Sequence, residues 1–270
     1  MNTLDSDPQV LSCTKAFTST VTNFGVGSDS GTVSASTITT ALNTLSSSLS
    51  ACSDSDIRSK LTDFYAACSN ELTSSPNADV IRAYDVFYVL YPFSRAVCTK
   101  DDSGNYCVLE VGSTSNSTKT LLSSSTDSSP SDSLWSSFPS GNSRRGEEQV
   151  VIPNLQQFKS LNLVFLGILP SFAAEQLCKP CTRNVLNEYI QFMSSIPYAP
   201  GISNSPLMSG ETDLYNAVQQ KCGPPFLSGT VQAAGGISDG LLNGAAGLSV
   251  NTRTIASALF AIVCGLFITL

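Results

Sequence analysis

Nine cysteines constrain this chain more than any other feature: Cys13, Cys52, Cys68, Cys98, Cys107, Cys178, Cys181, Cys222 and Cys264. The last sits in an apolar run, Ile255 to Leu270, that is expected to be removed, which leaves eight. An even count is what a disulfide framework requires, and such frameworks form in oxidising, extracellular compartments. All eight are therefore expected to be half-cystines, each bridge contributing roughly 2–4 kcal/mol by restricting the unfolded chain. Connectivity is not readable from spacing. Cys98 and Cys107 flank the turn Asp102-Ser103-Gly104-Asn105 and could close across it; both could equally pair with distant helices. Cys178-Lys179-Pro180-Cys181 has CxxC spacing. A thioredoxin-like redox site would need a preceding strand, and a zinc site a second ligand pair. With helix expected on both sides, two structural half-cystines at a helix start is the favoured reading.

Charge and residue types exclude several classes of function. Charged residues make up 13% of the chain, against roughly 25% in an ordinary domain. Ser and Thr fill the gap and point to glycans as the source of solubility. The net charge is −7, and no Lys/Arg cluster exists to neutralise phosphates, so a nucleic-acid partner is discarded. The same deficit argues against docking onto anionic headgroups. Histidine is absent, which removes Ser-His-Asp and Cys-His catalysis and imidazole metal sites. Nothing in the sequence calls for a cofactor or a metal.

Hydrophobic periodicity predicts a mainly α fold, a disulfide-stapled helical domain with a disordered Ser/Thr-rich insertion. Residues 1–9 read as a disordered N-terminus. Residues 10–112 form one helical cysteine-framework half. In it Cys13, Phe17, Val21 and Phe24 make one stripe, and Ile38, Leu42, Leu45 and Leu49 another. Ser53 and Asp56 make a capping-box pattern before Ile57, Leu61, Phe64, Cys68 and Leu72. Ser75-Pro76 is expected to open a helix carrying Val80, Tyr84, Phe87 and Tyr91, stopped by Pro92. Residues 113–150 are the insert. Ser and Thr fill 18 of the 31 positions from 113 to 143, with no hydrophobic period to form a core. It holds the sequon Asn116-Ser117-Thr118 and a dibasic pair, Arg144-Arg145, that could be a processing site or two solvated arginines. Residues 151–228 form the second helical half. One helix is expected from Leu155 to Ile168. Another opens at Pro180 with Val185, Tyr189, Phe192 and Ile196. A last one carries Leu207, Leu214, Val218 and Cys222 and is closed by Gly223-Pro224.

Residues 229–247 read as a Gly/Ala/Ser-rich stalk, and 248–270 as a cleaved signal tail. The 16 uncharged residues from Ile255 to Leu270 would span roughly 24 Å as a helix, short of a ~30 Å hydrocarbon core. Small residues, a polar spacer and an apolar tail form the pattern of GPI attachment, with Asn243 the expected attachment residue and Gly244 and Ala245 close rivals. A tail-anchored helix is the alternative. Met1 to Val10 shows neither a basic n-region nor an apolar h-region, so a leader is expected upstream, or the start codon is misassigned.

The run Cys181-Thr182, Val185-Leu186, Tyr189-Ile190, Pro197-Tyr198, Pro200-Gly201, Leu214-Tyr215, Ala217-Val218 and Cys222-Gly223 resembles a family of uncharacterised fungal secreted proteins. Cys13-Thr14, Phe17, the Cys52 and Cys68 helices and Gly104-Asn105-Tyr106-Cys107 agree with it. The resemblance covers residues 10–228 without the insert. It implies an extracellular cysteine-framework domain, commonly with a GPI-type tail, and supplies no catalytic residues.

Three functional readings follow. The preferred one is a GPI-anchored cell-surface or cell-wall protein with a non-catalytic role in structure, adhesion or ligand display. Its partners would be the anchor lipid and wall polysaccharide or surface proteins. The second is a carbohydrate-active enzyme or binding module acting on wall polymers. It needs two carboxylates about 5–9 Å apart, drawn from Glu175, Glu188, Glu211 and Asp213, and exposed rings among Tyr84, Phe87, Tyr88, Tyr91, Phe93 and Trp135. An aromatic stripe at helical spacing more often belongs to a core. The third is a haem- or iron-binding surface module, disfavoured by the missing histidine. Two Asp-Ser-Gly tripeptides, at Asp29 and Asp102, have the form of aspartic-protease motifs but lie in polar turns, where backbone needs explain them.

Overall fold

A computed structural model describes residues 7–14 in part, 35–49, 52–114, 135–139 and 149–227. Among the described residues, eight α-helices with defined bounds are labelled α1 to α8 in chain order. The domain is mainly α. Helix α1, Ala35–Ser48, buries Ile38, Leu42 and Leu45 on one stripe. Helix α2, Asp54–Ser69, buries Ile57 and Leu61. Ser53 occupies its N-cap position, but the hydroxyl meets Ser55 Oγ at 2.6 Å and caps no backbone N–H, so the expected capping box does not form. Cys68 leaves helical geometry, and a π-helical turn, Asn70–Ser74, follows.

Helix α3, Ala78–Cys98, is the axis of the fold. Its start is set by Asn77 rather than by Ser75-Pro76: the Asn77 side chain accepts from the backbone N–H of Asp79 and Val80. Its end is not at Pro92. The helix continues through the proline to Cys98, although an interior proline costs about 3 kcal/mol. Phe93, Ala96 and Val97 beyond it are all buried, and their transfer from water offsets that cost. The α2 helix runs antiparallel to α3: Phe64 meets Tyr84 edge to face at 5.4 Å, while Asp54 and Arg58 lie near Tyr91.

Helix α4, Cys107–Thr114, follows a turn closed by Asp101, whose carboxylate accepts from the N–H of Ser103 and Asn105. Strand β1, Trp135–Pro139, inside the segment expected to lack structure, pairs antiparallel with β2, Gln149–Pro153, which spans the end of that segment and the start of the second half. The second half then begins with α5, Leu155–Ser160, far shorter than the helix expected from Leu155 to Ile168. Asn162 ends it. That residue adopts left-handed geometry (φ 50°), and its amide donates to the Ile168 carbonyl at 2.7 Å, folding the chain into a short 3-10 turn instead. Helix α6, Ala174–Leu177, leads to α7, Pro180–Ser195, with Pro180 at its first position as expected. Helix α8, Glu211–Cys222, ends on Gly223 at φ 81°. Leu207 lies before it, in the strap from 196 to 210 that joins α7 to α8.

The most extensive helix contact is between α3 and α7, one from each half. Tyr88 and Tyr91 pack on Phe192 across it, and Phe165 packs on Tyr189 behind it. The two halves thus share one core.

Among the described residues, three disulfides staple this core. Cys13–Cys52 ties the N-terminal segment to the end of α1, Cys107–Cys181 joins α4 to α7, and Cys178–Cys222 joins the α6–α7 junction to α8. The CxxC cysteines therefore pair outward, not with each other. Cys98 and Cys107 do not close across their turn, and Cys68 and Cys98 are free thiols, so the expected fourth bridge is not formed. The reason is geometric. Cys68 lies toward the Val80 end of α3 and Cys98 at its other end, about 27 Å of helix away, whereas a bridge needs Cα atoms within about 7 Å.

Candidate functional site

The chemistry-bearing side chains that the fold gathers are buried, and they sit between α3 and the 196–210 strap. Asp85 is the centre. It is the sole charged residue between Arg82 and Arg95, and it is completely buried. Its carboxylate accepts from the Ser205 hydroxyl and from the Leu207 N–H at 2.7 Å. Ser205 Oγ in turn accepts from the Met208 N–H at 2.8 Å. One helical carboxylate thus organises a tight turn that begins 120 residues further along the chain. The Tyr198 hydroxyl lies against the same carboxylate, without hydrogen-bond geometry to it.

Two tyrosines extend the clamp. Tyr88, one turn along α3, donates to the Ile196 carbonyl at 2.5 Å. The Tyr84 hydroxyl lies at the backbone of Ala199. Tyr84, Tyr88 and Tyr198 form one ring cluster with centroids 5.0 to 6.2 Å apart. Burial pushes the Tyr84 phenol up to about 12 and those of Tyr88 and Tyr198 higher still, so all three stay protonated.

Glu211, the first residue of α8, closes the cluster. It is 4% exposed, and its Oε1 has no hydrogen-bond partner among the described residues. The other oxygen is reached by the Thr212 hydroxyl at 3.5 Å. Burial pushes the Asp85 carboxyl up to about 6 and that of Glu211 to about 7. Neither is ion-paired among the described residues.

The other carboxylates named for a glycosidase do not gather here. Glu188 on α7 pairs with Arg95 of α3 at 3.5 Å, and Glu175 and Asp213 are exposed. Among the described residues no group of three or more acids and cysteines could hold a metal. The aromatic stripe is core: Tyr84, Phe87, Tyr88 and Phe93 are each at most 1% exposed. A crevice between α4, α6 and α7, lined by Glu110, Phe172, Gln176, Lys179 and Thr182, has about 10 Å³ of free volume, room for about one water. Asp102 lies in an exposed turn, 3.7 Å from Arg183. Asn116, Arg144, Arg145, Asn243, Asp29 and the side chain of Trp135 lie outside the described residues. Among the described residues no helix is long and apolar enough to cross a membrane.

Asp85 escaped the sequence reading, although an isolated acid inside an apolar helical stripe is a legible sign of a buried polar contact. Glu211 is named in the sequence by its acid alone, and no local pattern marks it as buried. Compared with protein-family models, with curated proteins and with solved structures, the chain matches none.

Proposed function

We propose that this chain is a GPI-anchored surface or cell-wall protein of the fungal secreted type, whose domain serves a non-catalytic role in structure, adhesion or ligand display. The observation that carries the reading is the Cys107–Cys181 bridge, which crosses from one half of the domain to the other and belongs to an oxidising compartment. The Ser/Thr-rich insert and the small-residue, spacer and apolar pattern from Asn243 to Leu270 support attachment at the cell surface through lipid. The non-catalytic part rests on the inward-facing carboxylates: Asp85 and Glu211 serve the fold's own backbone and sit beneath its surface.

Phospholipase treatment of intact cells, followed by mass spectrometry of the released protein, tests the reading. It predicts release of a polypeptide ending at or beside Asn243 and carrying an anchor remnant. A cytosolic protein that retains Leu270 and reduced Cys107 and Cys181 overturns it.

A further inference from the structure

We propose that the 196–210 strap is an acid-locked latch: seated on α3 by Asp85 and closed by Glu211 in acidic medium, it loosens from the helix bundle as the medium becomes neutral. The geometry carries this in three steps. First, the polar contacts that seat the strap on α3, beside the packing of Tyr198 on Tyr84 and Tyr88, converge on Asp85 and Tyr88. Second, both carboxyls are buried, and among the described residues the groups that face them bring no positive charge. Asp85 is faced by the Ser205 hydroxyl, the Leu207 N–H and the Tyr198 hydroxyl from the strap, and by Tyr84 from its own helix beyond Tyr198. Glu211 is faced by Thr212 and Tyr215 from its own helix and by Tyr88 from α3. Third, Glu211 Oε1 is an acceptor without a donor, so its charged form gains nothing from the fold to offset the loss of water.

A neutral Glu211 is tolerated in this setting, and ionising it there costs free energy. The nearest route to water for either carboxylate is outward movement of the strap, which is continuous with the first turn of α8. Burial moves both groups into the window between acidic and neutral medium. The strap then loosens locally while the α3–α7 interface stays packed.

Hydrogen exchange read by mass spectrometry on the full chain tests this, at about pH 4.5 and about pH 7.5 with rates normalised for intrinsic exchange. Protection of strap peptides is expected to fall at the higher pH at least roughly tenfold more than that of α7 peptides around Tyr189. In Glu211→Gln, which cannot ionise, that fall should shrink at least roughly threefold. Asp85→Asn, if it folds, should shrink it further. Strap protection that ignores pH, that changes only in step with α7, or that falls undiminished in Glu211→Gln overturns the latch.

Discussion

Cys107 of α4 and Cys181 of α7 are covalently joined across 74 residues of chain, and the whole Ser/Thr-rich insertion lies between them. A loop of that length confers about 4 kcal/mol by restricting the unfolded state. Replacing both residues by serine should lower unfolding free energy in urea by roughly 2–5 kcal/mol. The same bond bears on Arg144-Arg145. Trypsin added to the folded protein should cut in the insertion, at Lys119 and Arg144-Arg145, and give two large fragments on a reducing gel that stay joined in one band without reductant. Separation without reductant would contradict the bridge.

Cys68 and Cys98 should behave as two unlike thiols. Burial pushes the Cys98 thiol up to about 12, so little thiolate exists to react. Both thiols are half-buried, Cys68 at the kinked end of α2 and Cys98 at the end of α3. Maleimide labelling with peptide mapping should modify Cys98 more slowly than Cys68 in the native protein, and the two at similar rates after unfolding. A Cys68–Cys98 crosslinked peptide would refute the separation along α3.

What was legible in the sequence were periodic features. The stripes of α1, α2 and α3, Pro180 opening α7 and Gly223 closing α8 all follow from local residue chemistry. What was not legible were outcomes set by partners distant in sequence. Pro92 fails to stop α3 because the residues after it are buried against the other half. Asn162 ends α5 because its amide finds the Ile168 carbonyl, and Gly210 leaves room for that side chain: a Cβ there would lie 3.0 Å from Asn162 Oδ1. Asp85 becomes the centre of a clamp because the strap returns to it from far along the chain. Cysteine parity likewise said nothing about which helix ends would meet.

Helix capping offers a paired test of that distinction. Asn77 accepts from two backbone N–H groups at the start of α3, so Asn77→Ala should cost about 1 kcal/mol. Ser53 has the better sequence pattern but makes no cap bond, so Ser53→Ala should stay within about 0.5 kcal/mol of the parent. Thermal unfolding of both variants decides it, and equal losses would contradict the capping geometry.

The tyrosine hydroxyls separate in the same way. Tyr88 donates to Ile196, so Tyr88→Phe should cost about 1 kcal/mol and leave a carbonyl unsatisfied. Tyr198 Oη is buried without a partner, so Tyr198→Phe should be neutral or mildly stabilising. A loss for Tyr198→Phe as large as that for Tyr88→Phe would show that Asp85 relies on a third donor.

Global stability should fall as pH rises through the weakly acidic range. Asp85 and Glu211 have folded-state values of about 6 and about 7, above their ordinary values of 3.8 and 4.5. The folded state therefore holds these protons more tightly than the unfolded chain does. The resulting stabilisation is fully present below the unfolded values, and it is lost as pH rises through the folded ones. Each group accounts for on the order of 2–3 kcal/mol. Asp101 works in the opposite direction, since hydrogen bonds from Asn105 hold its carboxyl below the usual range; its contribution is lost as pH falls through that lowered value. Stability should thus be greatest near about pH 4 and decline toward about pH 7. Urea midpoints measured across that range should show the decline, and Glu211→Gln should flatten its upper part. A midpoint that rises steadily to neutrality would mean that Asp85 and Glu211 ionise without cost, through donors the fold does not otherwise reveal.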